Sequence, residues 1–176
     1  MSAKPDTAAA QQLGLGLLDQ MSRQFPDMND IFWLVRNGAS LSVRDRDGLT
    51  PLVRAMGMGN KPLIREMVRH GAGVNDACGK HRVTALQIAA SSGDLELVQL
   101  MVDAGGDVLQ KNAIGVSALD GARRNPNGDV LPFVESVARP GLAAAASAEQ
   151  HELAIKAGLP VEKPFRPLKR ITLRPR

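Results

Sequence analysis

Between Asp45 and Lys111 the chain says nearly the same thing twice. Thr50 and Thr84, Gly59 and Gly93, and Gly71 and Gly105 are each 34 residues apart. The apolar residues keep the same step. Leu52 and Ala55 answer Leu86 and Ala89, while Leu63-Ile64 and Met67-Val68 answer Leu97-Val98 and Met101-Val102. A recurrence of this period restricts the architecture more than any other feature, because one such unit is too small to hide its own apolar side and must lean on a neighbour.

The residues at the anchors carry a resemblance. Thr50-Pro51-Leu52 and Ala55 match the T-P-L-H-x-A signature of the ankyrin repeat, with Val53 in place of its His. In the second copy Thr84, Leu86 and Ala89 match, while Ala85 and Gln87 replace Pro and His. The chain thus resembles an ankyrin-repeat protein of about four repeats, with bacterial members of the family as the nearest expectation. The resemblance covers roughly residues 10–139. It implies an all-α solenoid of stacked helix-turn-helix units with β-turn finger loops, helical caps and a flexible C-terminal tail. It also implies protein–protein recognition, in roles such as adaptor, scaffold, inhibitor, immunity protein or effector. The local chemistry agrees: Thr50 is placed to cap a helix, Pro51 sits at its first position where a missing N–H costs nothing, and Gly59 or Gly93 ends it.

Composition narrows the core. Aromatic residues make up only 3% of the 176 residues, with one Trp and no Tyr, so the interior must be Leu, Val, Ile, Met and Ala. That suits thin, closely stacked helices better than a sheet sandwich. The single cysteine, Cys78, excludes an intramolecular disulfide and a multi-cysteine metal site, and fits a reducing compartment. The apolar patch Leu13–Leu18 is too short for a secretory signal before Asp19 interrupts it, and no apolar run approaches a membrane span. A cytoplasmic location is the expectation, with export by a specialised secretion system as the alternative.

Read in order, residues 1–44 form an N-terminal helical cap and degenerate first repeat, after a disordered lead over 1–6. Thr7 caps a helix through about Gln24 with Leu13, Leu17, Leu18 and Met21 on one stripe. Pro26 breaks it, and Asp27 or Asn29 starts a second helix carrying Ile31, Trp33, Leu34 and Val35. Residues 45–77 and 78–111 are the two clear repeats. Pro62 falls at the tolerant start of an outer helix, and Ala77–Arg82 is an enlarged, irregular turn tip with Arg82 standing where Gly48 stood. Residues 112–140 form a degenerate C-terminal repeat, with Ser117 33 after Thr84, a second helix over Asp129–Arg139, and Pro140-Gly141 as its end. Residues 141–160 read as an Ala-rich helix that docks as a cap. Residues 161–176 read as an extended basic, Pro-rich tail.

Charge is unevenly placed. The tail from Lys163 holds six basic residues and no acid. Arg36–Arg82 holds nine basic and four acidic residues, whereas Val83–Glu162 holds five basic and ten acidic. The solenoid should be electrically lopsided along its axis.

No catalytic, cofactor or metal site is expected. His70 ends an outer helix beside Arg69 and Gly71, is read as having no carboxylate or cysteine at a helical spacing, and is expected to be a capping or surface residue. Cys78 and His81 share a turn tip, and lack the third group that a thiol–imidazole nucleophile needs. They read as an exposed binding-loop pair. Gly14-Leu15-Gly16 and Gly57-Met58-Gly59 lack the rest of a phosphate loop and should end or loosen helices. Asp120, where the signature His would stand, should bond the adjacent turn.

The expected function is therefore non-enzymatic binding of another protein through a concave groove. The tip positions free to vary are Arg46, Asp47 and Leu49, then Lys80, His81 and Arg82, then Ala113, Ile114 and Val116. The exposed ends of the inner helices add Met58, Ser91, Ser92, Arg123 and Arg124. Leu49, Met58 and Ile114 are apolar where solvent is expected, which suits a hydrophobic contact ringed by Arg. Scattered exposed apolar residues without meaning are the competing account. In the tail, Ile171 and Leu173 share one face of an extended strand, with Arg170 and Arg174 opposite, and Arg166 and Lys169 precede them. The tail could add a strand to a partner, strap onto the acidic half of its own solenoid, or grip nucleic acid or an anionic membrane, in that order of preference. The protein alone should be a monomer.

Overall fold

The computed structural model describes residues 7–125 and 129–141. The chain divides at Arg139 into a unit of residues 1–139, which contains nearly all of the described chain, and a unit from Pro140 onward. In the first unit the helices are α1 (Ala8–Met21), α2 (Met28–Arg36), α3 (Pro51–Gly57), α4 (Lys61–Arg69), α5 (Ala85–Ser92), α6 (Leu95–Asp103) and α7 (Ala118–Arg124). Residues 130–141 are also helical. The helix thus runs through Pro140 and Gly141 rather than ending at Arg139. Among the described residues the only β pairing is one bridge, Cys78 to Val83.

The helices stack in two layers, as the period requires. Inner helices α1, α3, α5 and α7 pack in a row, outer helices α2, α4 and α6 pack behind them, and α1–α2, α3–α4 and α5–α6 close as pairs. Leu52, Ala55, Leu86 and Ala89 are fully buried, as are Leu17, Ile31, Leu63, Ile64, Met67, Val98 and Met101. The core is aliphatic throughout. Phe32 and Phe133 only lean on it, and Trp33 and Phe25 are exposed. Trp33 thus faces solvent although its helix is amphipathic, since Ile31 and Val35 occupy the buried stripe.

Local capping explains most boundaries. Thr84 and Ser117 each close a reciprocal capping box, with Gln87 and Asp120 as partners, while Asp27, Asn60 and Asp94 accept from the first-turn amides of α2, α4 and α6. Thr50 departs from this. Its hydroxyl makes no cap bond and instead lies 3.5 Å from Cys78 Sγ. Helix α1 stops at Met21, short of Gln24, where the Ser22 amide and hydroxyl both turn back to Leu18 O. Gly14 does not loosen α1: it is buried, and a Cβ there would lie 2.5 Å from Ser40 O, so the glycine lets the two backbones approach.

Ion pairs tie successive outer helices. Arg36 Nε donates to Glu66 Oε1 at 2.7 Å, Lys61 Nζ lies 2.6 Å from Asp94 Oδ2, and Arg65 meets Glu96. The basic and acidic stretches of sequence therefore meet and partly neutralise at the α4–α6 seam. His70 is not without a carboxylate, since Glu66 one turn earlier places Oε1 3.8 Å from its Nε2.

The Arg36 hydrogen bond, with Arg36, His70 and Arg69 as neighbouring charges, outweighs burial and holds Glu66 below its ordinary range. Ser117 does the same for Asp120. For Asp45, burial pulls upward, but the Leu49 and Asp47 amides and Arg54 win and the carboxyl is lowered. All three are depressed in the fold, so the unfolded chain takes up protons first as pH falls. Melting temperature should be flat above about pH 5 and drop as pH falls below about 4. A melting temperature that rises on acidification in a thermal scan series would contradict these contacts.

Candidate functional site

The loops that lead into α3, α5 and α7 project as fingers, and two of them share one construction. In the first, Asp45 N donates to Leu49 O at 3.0 Å, and Asp45 Oδ1 accepts from the amides of Asp47 and Leu49, both at 2.9 Å. In the last, Asn112 plays the same part toward Ile114 and Val116. A short acceptor side chain at the base thus replaces a strand partner and sets the turn. The middle finger holds one more residue and is regular, not irregular as its composition suggested: Cys78 and Val83 exchange both backbone bonds, at 2.9 and 3.0 Å. Arg82 takes left-handed φ 53° where the other fingers have Gly48 and Gly115, at 74° and 78°.

Backbone bonds stitch the fingers side by side. Gly79 N donates to Gly48 O at 3.1 Å, and Ala113 N to His81 O at 2.9 Å. Arg54, from the last turn of α3, clamps the first finger through Asp45 at 2.6 Å and Asp47 at 3.0 Å.

Between the first and second fingers lies an open groove of about 610 Å³, lined by Asp47, Leu49, Val53, Cys78, Gly79, Lys80, His81, Val83 and Ile88. Its floor is apolar. Cys78 belongs to that floor: it is 2% exposed, and its thiol donates to Asp76 O, so it is not an exposed partner of His81. Four residues singled out from sequence, Asp47, Leu49, Lys80 and His81, come together here. Arg46 and Arg82 are exposed on the same two fingers.

The others lie apart from this groove. Ile114 is 67% exposed on the third finger. Ser91, Ser92, Arg123 and Arg124 are exposed at the ends of α5 and α7, where the Ser92 hydroxyl turns back to Ala89 O and Arg123 faces Glu135 at 3.8 Å. Met58 is half-buried against the core rather than exposed, because the chain turns inward at Gly59 into α4. Arg166, Lys169, Arg170, Ile171, Leu173 and Arg174, and the helix expected over Leu142–Ala157, lie outside the described residues.

Sequence reading missed Val53, Val83 and Ile88 as groove residues. The available signal was Val53 itself, an apolar residue where the repeat signature has a polar one. It also missed Gln87, which is buried and donates from Nε2 to Gln110 O at 2.7 Å and Val116 O at 3.2 Å, tying α5 to the next finger. Asp120, at the matching position, accepts from the amide and hydroxyl of Ser117, in the turn that leads into its own helix. Among the described residues no three His, Cys, Asp or Glu side chains are grouped to hold a metal, and no helix is long and apolar enough to cross a membrane.

The family profile described as ankyrin repeats, in three copies, matches residues 20–112, just over half of the chain. Similar proteins include an ankyrin repeat and KH domain-containing protein, mask-1, of Caenorhabditis elegans, 28% identical over 66% of this chain and 5% of that protein. The human SMC5-SMC6 complex localization factor protein 1 is 35% identical over 47% of this chain and 8% of its own length. Human ankyrin repeat domain-containing protein 63 is 36% identical over 58% and 28%. This chain spans less than a third of each of these relatives. All three are animal proteins, so the bacterial affinity expected from sequence is not borne out by them.

Proposed function

This chain belongs to the ankyrin-repeat family, whose repeats generally mediate protein–protein interaction, and from that premise we propose that it binds one protein partner through the groove between its first two fingers. It does so as a non-enzymatic adaptor, inhibitor or effector, with the basic tail as a second contact. The observation that carries this reading is the apolar floor of an open groove held by a backbone-stitched frame. Leu49, Val83 and Ile88 stay half-buried there, and a partner side chain would complete their burial at roughly 25 cal/mol per Å² of apolar surface removed from water. One relative is named as a localization factor for a complex, which accords with an adaptor role.

The alternative is a tail-driven binder of nucleic acid or an anionic membrane, motivated by the six basic residues after Glu162. Capture from native extract separates the two readings when done with full-length wild type, a Leu49→Asp variant and an Arg170→Glu/Arg174→Glu variant. Groove binding predicts one partner that stays bound at about 0.5 M salt and is lost with Leu49→Asp alone. Loss with the tail variant, with steep salt dependence, would replace it by the tail-driven reading.

A further inference from the structure

Resting on that reading of the groove, we propose that its occupant is an acidic peptide segment of the partner protein, with an apolar anchor against Leu49, Val83 and Ile88 and carboxylates against Arg46, Lys80 and Arg82. The charges around the mouth are uneven in a way the sequence total hides. The carboxylates of the first finger are already engaged, since Asp45 and Asp47 both pair with Arg54. Asp76 is folded back over Gly73, where an added Cβ would meet its carboxylate. By contrast, the side chains of Arg46, Lys80 and Arg82 are exposed and have no ion-pair partner among the described residues. The charge left unpaired on the two flanking fingers, Lys80 in the lining and Arg46 and Arg82 beside it, is positive, next to an apolar floor.

Arg82 adds a separate argument. A left-handed residue that is not glycine is strained, and the two equivalent fingers both use glycine. The fold gains nothing visible from an arginine there, since only its backbone N–H is used, bonded to Gly79 O. An exposed guanidinium on a finger that flanks the groove, between lining residues His81 and Val83, is what a carboxylate-bearing ligand would use.

Other occupants fit less well. The chain's own tail is basic and meets the rim with like charge. Nucleic acid would match the cations but leave the apolar floor empty, and the lining holds no Phe, Tyr or Trp ring for a base to stack on, only the His81 imidazole.

The test is selection of short random peptides on the immobilised full-length chain, followed by fluorescence polarisation with wild type, Leu49→Asp, Lys80→Glu and Arg82→Gly, with a labelled DNA duplex alongside. The expected peptides carry Asp or Glu beside an apolar residue, lose binding with Leu49→Asp, and weaken about tenfold with Lys80→Glu. Arg82→Gly should weaken them about threefold while raising the melting temperature, a combination that a purely structural arginine would not produce. Neutral or basic peptides that still require Leu49 would overturn the acidic ligand and leave the groove as a protein site. If the selected peptides are indifferent to Leu49→Asp, or none is enriched, both readings fall. Duplex binding lost with Lys80→Glu but untouched by Leu49→Asp would assign the rim to nucleic acid, and self-association lost with Leu49→Asp would assign the groove to a second copy.

Discussion

Leu86→Ala should lower stability by about 2–5 kcal/mol and broaden or split the unfolding transition. The side chain is fully buried on the first turn of α5, and a Cβ built on Gly106 would lie 2.9 Å from its Cδ2, so it fills the space beneath the end of α6 without slack. The consequence is larger than a cavity in a globular core. In a stack, each unit is held only by its neighbours, so weakening α5–α6 uncouples the helix pairs on either side. Urea and thermal unfolding followed by circular dichroism would show this, with Ile114→Ala as the exposed control, expected within about 0.5 kcal/mol of wild type. Equal effects of the two substitutions would mean that Leu86 does not sit between repeats.

Gln87→Leu should cost about 3 kcal/mol and release the third finger. The amide is 4% exposed; its Nε2 serves Gln110 O and Val116 O, and its Oε1 accepts from Thr84 N at 3.3 Å. Leucine fills a similar volume but leaves the Thr84 amide without its bond in a buried place and the Gln110 and Val116 carbonyls without theirs in part-buried ones. Gln110 is itself held by Asn75, whose side chain also bonds Asp107 N and Gly105 O, so the loss spreads along a chain of side-chain to backbone bonds. Hydrogen exchange should quicken at Val116 and Leu119, while the α3–α4 amides keep their protection. Gln87→His, the residue the repeat signature carries at this position, keeps a ring N–H donor and should cost less than leucine. If His and Leu variants melt together, the cross-repeat bonds contribute little.

Much of this fold was legible because its signals are local or periodic. The 34-residue step, the glycines after α2 to α6, the caps at Thr7 and Asp27, and the aliphatic core all follow from spacing, φ preference and the scarcity of aromatics. Proline at the start of α4 was readable for the same reason. The candidate site was half legible: the finger register placed Asp47, Leu49, Lys80 and His81 at tips, but nothing in a single strand of text says which tips share a wall.

By itself, then, the sequence determined that the chain must be an array of paired helices, where several of them start, and that the aliphatic stripes recurring at the repeat step must be hidden. Only the tertiary structure decided that Thr50 turns from its own helix to Cys78, that Cys78 is buried, that Gln87 reaches the next finger and that Met58 folds inward. The reason is distance along the chain. The groove and the cross-repeat bonds join groups roughly one repeat apart, 28 residues from Thr50 to Cys78 and 29 from Gln87 to Val116. Their geometry is set by how closely neighbouring units approach, not by any preference of the residues themselves.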